Sequence, residues 1–193
     1  MARFAAFLDA CALVPVTQAD TLLRLAEAEL YRPLWSDEVL EETVAAIESI
    51  HPDTKESGAA RKRANNMRTF FPDAFVDDWY SLVGSVQIPD ENDRHVVAAA
   101  FKGRADVIVT NNIKDFPQEN LQPFGLLVQT PDEFLLNQLD LAPQLVMESL
   151  QQQTQATKNP HLQLEDLLAL LGKCGARRFA SAAAAMSWRI RRT

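Results

Sequence analysis

Two short apolar runs, at residues 4–8 and 106–109, each stop abruptly at polar side chains: Asp9 after the first, and Thr110, Asn111 and Asn112 after the second. A run of that length, apolar throughout except for Asp106 at the start of the second and bounded by polar residues, reads as a parallel strand buried on both faces. Parallel strands need long crossovers, and the stretch between the runs carries helical periodicity. Helices are predicted over 18–30, over 37–50 behind Ser36 as cap, and over 55–70. Asp90 reads as the cap of a helix through 95–101, and a further strand at 126–128 leads into a helix over 131–139. Alternation of this kind predicts a doubly wound α/β sheet flanked by helices, with its site at the carboxyl ends of the strands.

After Leu139 no strand pattern returns. Gln151, Gln152, Gln153 and Gln155 form a polar stretch ending near Asn159 and Pro160, which in turn look like the cap and first position of an amphipathic helix through Leu164, Leu167, Leu168 and Leu171, ended by Gly172. Gly175 precedes an Ala-rich basic helix. The domain expectation is therefore 1–140 for the α/β region and 141–193 for a helical C-terminal extension packed on the main domain or on a partner.

Composition bounds the function. The two cysteines, Cys11 and Cys174, stand in unlike contexts and suggest neither a disulfide framework nor a Cys-rich zinc site, so a reducing cytoplasm fits. The apolar run near the N-terminus is interrupted by Asp9 and is too short to span a bilayer. A net charge of −7 argues against simple nucleic-acid backbone binding, though not against a metal-filled acidic cleft with basic groups elsewhere. Two basic groups qualify: Arg61, Lys62, Arg63 and Arg68 on one predicted helix, and Arg177, Arg178, Arg189, Arg191 and Arg192 near the C-terminus. Trp35, Trp79 and Trp188 read as core or interface residues.

The carboxylates are the candidates for chemistry. Asp9 beyond a buried strand either caps the next turn or meets a cation. Asp90 and Asp93 have capping spacing, with Asp93 one turn into the helix and able to face the strand ends; His95 reads as structural. Glu41 and Glu42 both flank the apolar face of Val39, Leu40, Val44 and Ile47, and periodicity does not choose between them. A Gly-rich phosphate turn after the first strand is missing, and Cys11 stands where a haloacid-dehalogenase-like phosphatase would need a second Asp.

Taken together, Phe7-Leu8-Asp9-Ala10, Leu40-Glu41-Glu42, the segment from Asp90 to Ala99 and the run from Val109 to Pro117 resemble, in order and spacing, the PIN-domain ribonucleases, including the VapC-type toxins of bacterial toxin–antitoxin pairs. The resemblance covers about residues 4–137. It implies a PIN-like parallel sheet and an RNA-hydrolysing site in which Asp9, Glu42 and Asp93 bind Mg²⁺ or Mn²⁺, the register selecting Glu42 over Glu41. Thr110 and Asp90 support the site. Asn112 occupies the family's fourth acidic position, and Asp115, three residues on, can partly replace it. An RNA substrate, a cognate antitoxin and a homodimer follow from the same resemblance. Two other readings stay open: a PIN nuclease of RNA processing without an antitoxin, and a non-catalytic PIN-like module motivated by Asn112.

Overall fold

A computed structural model describes residues 4–158 and 161–190, the last four of these by backbone alone. Asn159, Pro160, Arg191 and Arg192 lie outside the described residues, as do the side chains of Trp188 and Arg189. In chain order the elements are β1 (Ala5–Leu8), α1 (Ala10–Leu13), α2 (Val16–Glu27), β2 (Arg32–Leu34), α3 (Asp37–Ile50), α4 (Asp53–Ser57), α5 (Ala59–Phe70), α6 (Arg94–Lys102), β3 (Val107–Val109), α7 (Gln118–Leu121), β4 (Leu127–Gln129), α8 (Pro131–Leu141), α9 (Pro143–Ala156), α10 (Leu164–Lys173) and α11 (Arg177–Ile190). The expected α/β sheet flanked by helices, with a helical C-terminal region, is what forms.

The chain divides into two compact units: one combines everything up to Val14 with Arg32–Val128, the other Pro15–Tyr31 with everything from Gln129 onward. The first holds the sheet, in the order β2-β1-β3-β4. Its central strand β1 runs parallel to β2 on one side and β3 on the other, with Phe7 opposite Leu34 and Ile108. All four residues of β1 and all three of β3 are buried, which accounts for their unbroken apolar sequence. The start of the β1–β3 pair is closed by Asp106, whose carboxylate accepts from the Ala5 amide at 2.7 Å. The reversal of strand order at β1 places the carboxyl ends of β1 and β3 side by side at a topological switch point.

Four features depart from the sequence reading or were missing from it. β2 went unread as a strand, because it is three residues long and contains Pro33. At the sheet edge Pro33 costs no ladder bond. The helix expected over 55–70 is two helices, broken at Gly58, whose φ of 67° is the left-handed conformation that ends α4. The glutamine-rich stretch is helical and completes α9, with Gln153 buried and accepting from Thr21 Oγ1 at 2.8 Å. The Leu-rich helix starts at Leu164, where Gln163 and Asp166 form a capping box.

In the second unit, α2 packs on α9, and α11 on both α8 and α10. Tyr31 meets Phe134 edge-on at 4.8 Å and donates to the Leu22 carbonyl. Asp132 receives the Phe179 amide at 2.9 Å and Arg178 Nε at 3.0 Å, pinning the first turn of α11.

Gly103, which ends α6, shows how tightly the first unit is filled. A Cβ there would lie 2.7 Å from Val76 Cγ2 and 3.1 Å from Leu34 Cδ1, whereas one at Gly172 would meet nothing within 4 Å. Gly103→Ala is therefore expected to destabilise by about 1–3 kcal/mol through overpacking, and Gly172→Ala to be neutral or stabilising by up to about 1 kcal/mol. Urea unfolding of both variants checks the contrast, and equal stabilities would refute it.

Candidate metal centre

The centre begins where β1 ends. The Asp9 amide bonds to the Val109 carbonyl at 3.1 Å, holding the two strand ends together. The Asp9 side chain is 5% exposed, and a carboxylate so buried needs partners. Its Oδ1 accepts from the Ala10 amide at 2.7 Å, the cap of α1, and its Oδ2 accepts from Thr110 Oγ1 at 2.7 Å and from Cys11 Sγ at 3.0 Å. The capping and clustering roles of Asp9 thus coexist on different oxygens. Thr110, fully buried, accepts in turn from the Asn112 amide at 3.0 Å. Asn112 therefore supports the site through its backbone, while its side chain is exposed.

Cys11 entered the sequence reading only to set aside a disulfide framework, a zinc site and a phosphatase. In the fold its Sγ receives the Asn111 amide at 3.1 Å and lies 3.2 Å from Thr110 Oγ1, so it ties the β1 and β3 ends a second time. Burial, the Asp9 charge and the Asp9 hydrogen bond push its thiol up to about 12. It stays a neutral donor and not a nucleophile. Its position two residues beyond Asp9 was the signal available.

Asp93 is the N-cap residue of α6 and does not lie one turn inside it; the Asx turn before it belongs to Asp90, whose Oδ1 accepts from the Asn92 amide at 2.9 Å. Asp93 makes no capping hydrogen bond, and the charge of Asp9 at the end of β1 bears on its carboxylate. Burial and then the charges of Asp9, Asp90 and Asp115 push that carboxyl up from 3.8 to about 6, against a smaller opposing effect of His95. Asp9, Asp90, Asp93 and Asp115 thus share one electrostatic neighbourhood.

Glu42 and Glu41 separate cleanly. Glu41 faces Arg61, at 2.6 Å, and Arg68, at 3.1 Å. Glu42, 100° further round α3, lies with Oε1 3.0 Å from Nε2 of the buried His95 on α6. That contact is close enough for an ion pair, though off the line of a strict hydrogen bond. Burial by itself would lower the His95 pKa, but Glu42, with Glu38 and Asp9 behind it, outweighs burial and raises it. Neither Glu38 nor the Glu42–His95 contact was read from the sequence.

The residues suit a divalent ion in charge and donor type: hard oxygen donors whose repulsion a cation would relieve. Among the described residues no three His, Cys, Asp or Glu side chains yet converge on one ion-sized point. Asp9 is bonded internally, and Glu42 rests against His95, a ring on which the Asp9 charge also bears.

The basic groups are placed differently. Arg68 pairs with Asp37 as well as Glu41, and Arg63 donates to the Leu13 and Val14 carbonyls at the end of α1, while Lys62 is exposed. Arg178 pairs with Asp132. Trp35 and Trp79 are buried.

Folding keeps the Asp93 proton on more tightly than the unfolded chain does. Between pH 3.8 and about 6 the unfolded state releases it first, and metal-free stability falls as pH rises through that window. Asp93→Asn is therefore expected to gain melting temperature over wild type as pH rises from about 4 to about 7 in EDTA. Added Mg²⁺ should erase the gain. A difference flat in pH would contradict the shared acidic neighbourhood.

A family model described as "PIN domain" matches residues 5–114, and one described as "VapC50 C-terminal domain" matches residues 131–185. The chain is 42% identical over 117 residues to the Mycobacterium tuberculosis protein "Putative ribonuclease VapC50", an alignment covering 61% of this chain and 66% of that relative. The chain thus spans just under two thirds of the curated relative it matches. No solved structure matches it.

Proposed function

Because this chain belongs to the PIN-domain family, we propose that it is a divalent-metal-dependent endoribonuclease, a hydrolase of RNA phosphodiester bonds, and the toxin of a toxin–antitoxin pair. The observation that carries the proposal is the buried Asp9, held by Thr110 and Cys11 at the β1–β3 ends, with the charges of Asp9, Asp90 and Asp115 bearing together on Asp93, an arrangement a cation would relieve. The relative's printed name, a ribonuclease, supports the reaction.

Asp9, Glu42 and Asp93 would hold the ion, Mg²⁺ or Mn²⁺, with Asp115 adding its charge beside Asp93. When bound, such an ion polarises the scissile phosphate and activates a water for in-line attack. Thr110 and Cys11 keep Asp9 on one rotamer, and the Asn112 amide keeps Thr110 in place. Asp90 shapes the turn that delivers Asp93. RNA phosphates are met on the α5 side, by Lys62 first and by Arg61, Arg63 and Arg68 to the extent that their present carboxylate and carbonyl partners release them. The helical region, expected from residue 141 onward, serves assembly or partner recognition. An antitoxin would neutralise the acidic cleft with a basic side chain, two copies form a homodimer, and the site of action is the cytoplasm. Among the described residues no helix is long and apolar enough to cross a membrane.

The non-catalytic reading keeps one specific motive, the missing carboxylate at Asn112. Purified protein is expected to cleave RNA in Mg²⁺ or Mn²⁺ and not in EDTA. Asp9→Asn and Asp93→Asn, which preserve shape, should each lose more than the roughly 10–100-fold that removal of a supporting group costs. No cleavage of structured or single-stranded RNA in any metal, by folded protein, would leave the binding module. Expression in a bacterial host should arrest growth, and the Asp93→Asn variant should not; arrest by neither would favour a processing nuclease over a toxin.

A further inference from the structure

We propose that His95 is a positioning residue of the acidic centre: it fixes the Glu42 carboxylate where that carboxylate meets a divalent ion, and so sets cation affinity without touching cation or RNA. The inference rests on the reading of Glu42 as a ligand.

Glu42 projects from the middle of α3 with its side chain 45% accessible, and a glutamate in that setting samples several rotamers. Its neighbour Glu41 is taken up by Arg61 and Arg68 of α5. The group that meets Glu42 is a ring with only two torsions, 7% accessible, on the first turn of α6, two residues beyond Asp93. The ring is backed by Trp79, with centroids 5.8 Å apart and planes at 45°. One helix therefore supplies one acid directly, through Asp93, and holds a second in place through His95.

A purely structural histidine accounts poorly for this arrangement. His95 is followed by Val96, Val97, Ala98, Ala99 and Ala100, all buried, and an aliphatic residue would fill the same space without burying polar atoms. Neither ring nitrogen has an aligned hydrogen-bond partner, so the short approach of Nε2 to Glu42 is the polar interaction that the ring makes. A supporting group that orients a carboxylate ligand is expected to change metal affinity by about 10–100-fold when removed.

The test is calorimetric titration of Mn²⁺ into the EDTA-stripped full chain, with folding checked by circular dichroism. His95→Phe keeps a ring against Trp79 and removes the donor; His95→Gln keeps an N–H and serves as the second variant should the first not fold. His95→Phe is expected to weaken Mn²⁺ binding by about 10–100-fold, and His95→Gln to recover most of the loss. In a Glu42→Gln background the same change should have little further effect, because the two residues act as one unit. Equal losses in both backgrounds would make the role merely structural and overturn the inference, as would unchanged or tighter binding in folded His95→Phe. If Asp93→Asn abolishes Mn²⁺ binding while His95→Phe leaves it intact, the inference fails alone. If Asp93→Asn binds like wild type, the acidic-centre reading fails and takes the inference with it.

Discussion

The hydrogen bond from Thr110 to Asp9 joins two strand ends that lie 101 residues apart in sequence, and the centre is assembled outward from it. A buried carboxylate is tolerated only when its oxygens are satisfied. Here the backbone of α1 satisfies one oxygen, and a hydroxyl and a thiol satisfy the other. The same partners that make Asp9 tolerable also fix where its charge sits, and that charge is one of those Asp93 feels. Burial and repulsion are therefore two aspects of one arrangement at the β1–β3 switch point.

The acids of α3 are divided by the groups set against them. Arg61 and Arg68 of α5 gather Glu41, and Arg68 also gathers Asp37, leaving Glu42 to the α6 side. Exposed pairs of this kind contribute only about 0–1 kcal/mol each. Their value lies in geometry, since they clasp α5 to α3. The break at Gly58 lets α5 turn back along α3 and reach those acids.

Legibility in the sequence followed how locally each feature is determined. Ser36 announces α3 through its own side chain, which accepts from the Val39 amide, and β1 and β3 announce themselves by being apolar on both faces. Thr130 and Glu133 close the capping box before α8 in the same local way. β2 was hidden because edge pairing, which no single-strand pattern encodes, makes a strand of three residues that include Pro33. The choice between Glu41 and Glu42 came from family register; the fold sets the two apart, one facing arginines and the other a histidine more than fifty positions away. Cys11 and His95 were visible as residues but not as parts, since each depends on contacts between strands or helices remote in sequence.

The long separation between Asp9 and Thr110 also sets an order of events during synthesis. At about 5–20 residues per second, a ribosome needs roughly 5–20 s to add the stretch between them. For that interval the nascent chain carries the first acid without the partner that orders it. The second unit waits longer still, because Thr21 finds Gln153 only 132 residues later. A growing chain of this kind lacks the finished β1–β3 junction until Thr110 has left the exit tunnel.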